Sequence, residues 1–302
     1  MGSRKPLEHK VPSRMNPTPS VMVLGASGML GHIVFAHLQS TGKFRVQGSL
    51  RKDFDAEAFA LGGSSDCLEG FDAIVNCIGI IKPYCKDDDP QGVRRAIRVN
   101  ALFPHQLGTW AQVHGAKVIQ IATDCVYSGS KGKYVESDAH DALDVYGKTK
   151  SLGEVLDGSV LNIRCSIIGP ELKGKLSLFE WFLAQPEGAE LNGFSHHLWN
   201  GVTTLQFGQL CEKILEKPGG YDALLKNSLV HHFVPNETVN KFELLELFSD
   251  VFRKKCKIRN VNDIGLPVDR SLDTKLPDLK ELYGSSTLRQ ALLDLRKYVR
   301  TA

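Results

Sequence analysis

The sequence lacks any long uninterrupted hydrophobic stretch. No apolar run reaches the roughly 18 residues that a membrane-spanning helix requires, so the sequence does not predict an integral membrane protein. Internal repeats and low-complexity blocks are also missing, and a hydrophobic fraction of 42% excludes a collagen-like or disordered chain. The 302 residues instead indicate one large α/β unit or a domain with an appended lobe.

The sequence has little excess of charge of either sign. It contains 37 Lys and Arg against 34 Asp and Glu, and the formal charge of +3 resides in residues 1–20. The neutral remainder gives no electrostatic reason to expect nucleic acid as a partner. Residues 1–19 are basic and proline-containing and lack the apolar stretch of a secretory signal. We interpret them as a disordered tail, native or left from a tag, with a targeting segment as the alternative.

Paired cysteines are missing as well. The seven cysteines are odd in number and include no CxxC pair, and several lie in apolar runs, as Cys77 does. This pattern predicts reduced, buried thiols in a cytoplasmic protein. No cluster of Cys and His has the spacing of metal ligands, so no metal site is predicted.

Short apolar runs alternate with helical periodicity along the first half of the chain. The apolar runs predict strands at 20–25, 44–50, 72–79, 117–122 and 160–168. The helical spacing predicts helices at 29–39, 90–114 and 144–156, with a bend at Pro104. Strands separated by helices need crossover connections, so we expect a mostly parallel sheet.

The regular alternation is lost after Gly169-Pro170. Helical patterns follow at 176–185, 204–216, 239–254 and 285–299, with a strand pattern near 229–234. In that strand, one of His231 and His232 is expected inside and the other outside, because successive side chains point to opposite faces. We interpret this part as a smaller lobe, some of which returns to the sheet.

A glycine-rich turn, Gly25–Gly31, connects the first predicted strand to the first helix. Gly25 permits a tight turn, Gly28 lets the backbone approach a pyrophosphate, and Gly31 lets the helix pack closely. The helix N-terminus then presents free N–H groups to the phosphates. The position after the first buried strand favours dinucleotide binding over a simple strand–helix connection.

The end of the second strand indicates which dinucleotide is bound. An acid there would hydrogen-bond the ribose 2′-hydroxyl of NAD, but this chain carries Arg51-Lys52. Arg51 can pair with a 2′-phosphate, which favours NADPH, with NADH as the alternative. A solvated basic pair before Asp53 and Asp55 would explain the same residues without a ligand.

Tyr146 and Lys150 lie one helical turn apart and share a helix face. The ammonium can lower the pKa of the tyrosine and orient a ribose. The tyrosine can then exchange a proton with a carbonyl or alcohol oxygen while hydride moves at carbon. Thr123 ends the preceding strand, at the edge where parallel sheets bind ligands. These three residues are the predicted catalytic set.

Five pieces of the chain match the extended short-chain dehydrogenase/reductases in order and spacing. They are Gly25–Gly31, Asn76–Gly79, Val99–Ala101, Thr123–Tyr127, and Tyr146–Lys150 followed by Glu154. The chain resembles this superfamily over roughly residues 20–235. Within it, the GASGMLG opening and the run at 121–129 look most like the dTDP-4-dehydrorhamnose reductase-like nucleotide-sugar reductases.

The resemblance implies a Rossmann-like, doubly wound α/β fold with a smaller C-terminal substrate lobe. Residues 20–168 would form the NADP(H)-binding domain. Residues 169–302 would form mainly the substrate lobe, with about 203–235 returning to the first domain. Because helices 90–114 and 144–156 often pair between subunits in this superfamily, the resemblance also implies a possible homodimer.

The resemblance assigns roles to individual residues. Tyr146 would donate a proton, Lys150 would activate it and anchor the ribose, and Thr123 would hold the same substrate oxygen. The implied cofactor contacts, besides Arg51, Tyr146 and Lys150, are Gly25, Ser27, Gly28, Met29, Leu30, Cys77, Ile78, Gly79, Asn100, Ala122, Cys165 and Ile167. Next to Thr123, the residues implied to meet substrate are Asp124, Cys125 and Val126.

Cys125 departs from the rhamnose-pathway reductases, which usually carry tyrosine at this position. Sugar dehydratases use glutamate there as the acid for water elimination, so dehydration is disfavoured. GDP-L-fucose synthase, which epimerises and then reduces, carries a cysteine here, but its partner histidine is replaced by Glu171 in this chain. Epimerisation before reduction stays open, and so does a purely packing role for the thiol.

The segment 192–204 predicts further contacts with substrate. His197, Trp199 and Asn200 precede a helix and can hold a sugar or nucleobase by stacking and hydrogen bonds. Trp199 filling the lobe interface is the alternative. Lys82, after the third strand, can meet a phosphate or be simply solvated.

The patterns indicate an NADPH-dependent reductase, and the resemblance implies that it reduces the 4-keto group of a nucleotide-linked 4-keto-6-deoxy sugar, in deoxysugar metabolism. The alternatives are a bifunctional epimerase/reductase that uses Cys125, and a non-catalytic NADP-binding regulatory subunit. The expected partner is a nucleotide sugar, with neither nucleic acid nor membrane.

Overall fold

The computed structural model describes residues 18–263 and 265–301, so the interpretation of residues 1–17 as a disordered tail lies outside the described residues. The first half forms β1 (Ser20–Leu24), α1 (Gly31–Ser40), β2 (Arg45–Ser49), α2 (Ala56–Ala60), β3 (Ala73–Asn76), α3 (Pro90–Ala96), a π-helical segment (Ile97–Leu102), α4 (Phe103–His114), β4 (Lys117–Thr123), α5 (Val145–Leu152) and β5 (Val160–Cys165). The second half forms β6 (Ile167–Ile168), α6 (Leu178–Leu183), β7 (Glu190–Phe194), β8 (His197–Trp199), β9 (Val202–Thr203), α7 (Thr204–Glu216), α8 (Gly220–Asn227), β10 (Val230–His232), β11 (Val239–Asn240), α9 (Lys241–Phe252), β12 (Lys257–Val261), β13 (Val268–Asp269), α10 (Asp278–Tyr283) and α11 (Leu288–Thr301).

A six-stranded parallel sheet in the order β10-β5-β4-β3-β1-β2 forms the centre of the molecule. Helices cover both faces. Val21 and Val23 of β1 pack with α1, α7 and α8, while Met22 and Leu24 pack with α2 and α4. This arrangement is the predicted doubly wound α/β fold, and burial on both faces explains why the strands read as continuous apolar runs.

The order in which strands are added to the sheet reverses beside β1, which pairs with β2 on one side and with β3 on the other. Open parallel sheets bind ligands at such a switch point, outside the carboxyl ends of the strands. The glycine-rich turn follows β1 at this place, and Thr123 ends β4 on the same edge.

A second hydrophobic core lies in the C-terminal part of the chain. It joins α6, α9 and α11 to β7 and β8, with Phe179, Phe182 and Phe248 fully or almost fully buried. Small strand pairs, β7 with β12 and β8 with β11 and β13, support it. β10 lies between these segments in the sequence, but it pairs with β5 of the large sheet.

The structure divides the helix predicted over 90–114. Residues Ile97–Leu102 form a π-helical segment between α3 and α4, and Pro104 stands in the first turn of α4. Proline has no N–H and its ring clashes with the carbonyl four residues earlier, so a local widening accommodates it. Similarly, α5 ends at Leu152 rather than 156. At Gly153 a Cβ atom would lie 1.8 Å from the Asn100 carbonyl oxygen.

The expectation that one of His231 and His232 is exposed was wrong, because both are buried. His231 Nε2 lies 3.0 Å from the Leu224 carbonyl oxygen of α8. His232 lies 2.7 Å from Arg164 on the neighbouring strand. The strand is therefore covered on both faces. No helix within the described ranges is long and apolar enough to cross a membrane.

Candidate functional site

The glycine-rich turn has the backbone that its sequence predicts. Gly25 takes a left-handed conformation with φ of +79°, which disfavours any residue with a side chain. A Cβ atom at Gly31 would lie 2.1 Å from the Gly25 carbonyl oxygen, so the helix packs against the turn. Ser27 and Gly28 are exposed at the end of β1. Their contact with phosphate stays a prediction.

An outer cavity of about 220 Å³ opens beside this turn, and Arg51 lines it as expected. Arg51 Nε lies 3.4 Å from the Asp55 carboxylate, which also caps α2 by accepting from the Glu57 and Ala58 backbone N–H groups. Arg95 lines the same cavity from α3, with its Nε 3.7 Å from Glu57 Oε2. Arg95 was not predicted from the sequence, because nothing in the run that forms α3 indicates that this helix reaches the cavity.

An inner cavity of about 500 Å³ adjoins the outer one and shares with it Ser27, Gly28 and the segment 77–79. It extends from the glycine-rich turn to the C-terminal lobe. The other predicted residues that line it are Met29, Leu30, Ala122, Thr123, Asp124, Cys125, Tyr146, Lys150, Cys165, Ile167 and Trp199. Segments more than 170 residues apart in sequence therefore meet at one cavity.

Thr123, Tyr146 and Lys150 meet at the carboxyl end of β4. Burial raises the pKa of Tyr146 well above the ordinary tyrosine value, although a hydrogen bond with Thr123 opposes this shift. Lys150 donates to the Ile121 carbonyl oxygen over 3.0 Å, and burial lowers its pKa to about 8. Burial therefore keeps the phenol of Tyr146 protonated, and the expected effect of Lys150 on its pKa stays a prediction.

Asn100 holds the loop beneath the cavity rather than lining it. Its side chain accepts from the Ile80 N–H over 2.7 Å and donates to the Ile80 carbonyl over 2.9 Å and to Thr149 over 3.2 Å. Lys82 also lies outside the lining residues. Its ammonium is 2.8 Å from the Asp144 carboxylate and 5.9 Å from the centre of the Tyr146 ring.

Besides Lys82, three residues that were expected to contact substrate lie away from the cavity. Val126 is fully buried against Tyr127, Tyr134 and Leu272, because the 3₁₀ turn after Thr123 points it into the core. His197 stacks on Phe194 and lies 3.2 Å from the Leu266 carbonyl oxygen, away from the cavity. The expectation that Val126 and His197 contact substrate in the cavity was therefore wrong.

Asn200 is the third of these residues. It is buried and forms paired hydrogen bonds with the backbone of Leu272, over 2.7 Å and 2.9 Å. Its neighbour Trp199 points the other way, into the cavity, because successive residues of an extended chain alternate. The segment 192–204 was thus correctly placed, but only one of its three named side chains lines the cavity.

Cys125 lines the inner cavity, and burial raises the pKa of its thiol to about 12. The thiol is therefore neutral near pH 7. Glu171, which stands where an epimerising enzyme would carry histidine, accepts from the Ser177 N–H over 2.6 Å and from the Leu176 N–H over 3.4 Å. Its carboxylate orders the loop before α6.

A buried ionic network lies behind the inner cavity. Arg164 on β5 is 2% exposed and donates to both carboxylate oxygens of Glu154, over 2.9 Å and 2.7 Å. It also contacts the Tyr127 hydroxyl at 2.6 Å, His140 at 2.9 Å and His232 at 2.7 Å. Arg164 thereby connects β5 to the chain segment that follows Thr123 and to β10.

Lys241 is the main residue that the sequence analysis missed. It lines the inner cavity from the first turn of α9, and its ammonium lies 5.2 Å from the centre of the Trp199 ring. The run around Lys241 reads as an ordinary amphipathic helix, so only the pairing of β11 with β8 reveals where it points.

The switch-point turn, the Thr–Tyr–Lys set and the two adjoining cavities define an extended short-chain dehydrogenase/reductase, as the sequence resemblance stated. More particularly, residues 19–165 match the family model described as the RmlD substrate binding domain.

Two kinds of protein are similar to this chain in sequence. A dTDP-4-dehydrorhamnose reductase of Aggregatibacter actinomycetemcomitans is 30% identical over 45% of this chain and 46% of its own length. Methionine adenosyltransferase 2 subunit beta of Rattus norvegicus is 24% identical over 78% of this chain and 73% of its own length.

Among solved structures, the dTDP-4-dehydrorhamnose reductase of Bacillus anthracis str. Ames in complex with NADP has the same fold. The TM-score is 0.76 at 16% identity, over 93% of this chain and 98% of that one. The predicted fold class and the stated resemblance are both confirmed.

Proposed function

We propose that the protein is an NADPH-dependent reductase of the 4-keto group of a nucleotide-linked 4-keto-6-deoxy sugar. One observation carries the proposal: the glycine-rich turn, Thr123, Tyr146 and Lys150 all line one continuous groove that ends against the C-terminal lobe. The similarity to a dTDP-4-dehydrorhamnose reductase supports the choice of substrate class.

The groove fits a nicotinamide dinucleotide. Gly25, Gly28 and Gly31 leave backbone without side chains beside the first turn of α1, where N–H groups attract phosphate. Arg51 and Arg95 supply positive charge at the outer cavity for a 2′-phosphate, although Asp55 and Glu57 lie beside them. When bound there, the reduced cofactor supplies hydride. The NADP complex of the Bacillus anthracis relative supports this assignment.

The residues of this chain then supply the proton and position the reacting groups. Because burial keeps Tyr146 protonated, its hydroxyl is poised to donate to the oxygen that gains negative charge as a ketone is reduced. Thr123 holds the same oxygen, and Lys150, fixed against the Ile121 carbonyl, is placed to anchor a ribose. The neutral thiol of Cys125 favours simple reduction over epimerisation, since an epimerase needs a base there.

The test is oxidation of NADPH with TDP-, UDP- and GDP-linked 4-keto-6-deoxy sugars, with NMR of the product. Tyr146→Phe should lower turnover by about 10²- to 10⁴-fold, since it removes the proton donor, and should leave NADP+ affinity nearly unchanged. Tyr283→Phe is the matched control, because it removes a phenol hydroxyl outside both cavities. Turnover of Tyr146→Phe equal to wild type would overturn the assignment.

A second candidate is a non-catalytic NADP-binding subunit of a larger assembly. It is favoured by the similarity to methionine adenosyltransferase 2 subunit beta, which spans 78% of this chain. The two candidates differ in one readout. A protein that binds NADPH with high affinity but oxidises it with no keto sugar of the panel would favour the subunit.

We also propose that the chain pairs with a second copy. Ile97 and Leu102 of the π-helical segment and Leu152 at the end of α5 are 47%, 37% and 66% exposed. They lie on the helices through which this superfamily often dimerises. Sedimentation equilibrium should give twice the monomer mass, and a monomer at all concentrations would contradict it.

A further inference from the structure

Strand pairing and a helix cap place the backbone of Lys241 at the inner cavity. β11 pairs with β8 so that Val239 lies opposite Trp199, and α9 begins immediately after β11. Asn240 and Glu243 cap the helix reciprocally and fix its first turn. Trp199 is fixed too, since its indole N–H donates to Ser166 over 2.8 Å. The ammonium of Lys241 lies 5.2 Å from the centre of this ring.

Three features make this an unfavourable place for a positive charge. The side chain lies in a cavity whose burial lowers the pKa of Lys241 to about 8. It belongs to the first turn of a helix, where the dipole repels cations. Among the described residues, no carboxylate lies within 4 Å of its ammonium, although Asp124 and Cys125 are near enough to favour the charge.

In the free protein this cation is stabilised by the face of the Trp199 indole and, from beyond 4 Å, by Asp124, and both interactions are weak compared with an ion pair in contact. The cavity that Lys241 lines also holds Thr123, Tyr146 and Cys125. An anionic oxygen that enters this cavity would meet a half-buried ammonium that no carboxylate contacts, although Asp124 and Glu171 line the same cavity.

We propose that Lys241 binds an anionic oxygen of the substrate, a phosphate or a carboxylate. The inference rests on the proposed function, since it names the substrate group that the same cavity takes. Lys241 would position the sugar against Tyr146, with the Trp199 ring as a fixed wall behind the ammonium.

The experiment is calorimetric titration of the full chain, saturated with NADP+, with UDP-glucose, UDP-glucuronic acid and inorganic pyrophosphate. Lys241→Met should weaken binding by about 10- to 100-fold, the usual loss for a hydrogen bond to a charged group. Lys241→Arg keeps the charge and should stay within about fivefold. Lys226→Met, an exposed lysine of α8 outside the cavity, is the matched control.

The pattern of losses identifies the anionic group. Equal weakening for both sugar nucleotides assigns Lys241 to the diphosphate, whereas weakening for UDP-glucuronic acid alone assigns it to a carboxylate. NADP+ affinity should not change in either variant. Lys241→Met that binds all three probes like wild type would overturn the inference, and so would a wild-type protein that binds none of them.

Failure of the proposed function gives a different result. A wild-type protein that binds pyrophosphate through Lys241, but reduces none of the keto sugars, would contradict the reductase and leave the anion site standing. Normal reduction of a keto sugar by a Lys241→Met variant, with unchanged KM, would contradict the anion site and leave the reductase standing.

Discussion

The two halves of the groove are built in different ways. The outer cavity and its turn are made largely of backbone and of residues close together in sequence, such as Gly25–Gly31. The inner cavity is made of side chains brought together from distant segments, with Thr123 facing Trp199 and Lys241. One half therefore depends on local conformation, and the other depends on how the two cores of the molecule are joined.

The largest effect is expected where the segments of the inner half are joined. Arg164→Met leaves the buried carboxylate of Glu154 without its partner, so we expect a loss of about 3–5 kcal/mol in the free energy of unfolding. Urea denaturation measures this loss. The double variant Arg164→Met/Glu154→Met should recover part of it. A single variant as stable as wild type would show that the network does not join these segments.

The next largest effect is expected from a substitution in the outer half of the groove. Gly31→Ala places a Cβ atom against the Gly25 carbonyl, so we expect a loss of about 1–3 kcal/mol in stability and weaker NADP+ binding. Gly208→Ala is the matched control on α7, where the nearest atom lies at 3.4 Å. It should be neutral or stabilise by up to about 1 kcal/mol through helix propensity. Equal melting temperatures for the two variants would contradict this contrast.

A smaller effect concerns cofactor choice. Arg51 is exposed and already faces Asp55, so Arg51→Ala should weaken NADP+ binding by only about 10-fold and leave NAD+ binding unchanged. Lys52→Ala controls for loss of charge at the neighbouring position. Fluorescence titration with both dinucleotides measures the ratio of the NADP+ and NAD+ affinities. An equal loss of affinity for the two would show that Arg51 does not recognise the 2′-phosphate.

The smallest effect is expected at Cys125. A neutral thiol contributes packing rather than acid–base chemistry, so Cys125→Ala should keep turnover within about threefold. Products formed by the wild type in D₂O should carry no solvent deuterium at sugar C3 or C5. Wash-in that disappears in Cys125→Ala would instead support epimerisation.

The same contrast explains what the sequence could predict. Buried strands, the Gly25 turn and the Tyr146–Lys150 helix are local patterns, and the structure has each of them near its predicted position. Lys241 and Arg95 were missed because their place at the groove depends on strand pairing and helix packing far along the chain. His197 and Asn200 were misplaced because the direction of each side chain depends on where short strands begin.

The central claim is that hydride and proton reach one sugar carbonyl at Tyr146. The most direct measurement follows deuterium from NADPH labelled at C4 of the nicotinamide into a nucleotide-linked 4-keto-6-deoxy sugar. The account predicts one deuterium at sugar C4 with wild type and a rate lowered by about 10²-fold or more with Tyr146→Phe. A product without deuterium at C4, or labelling at an equal rate in the variant, would contradict it.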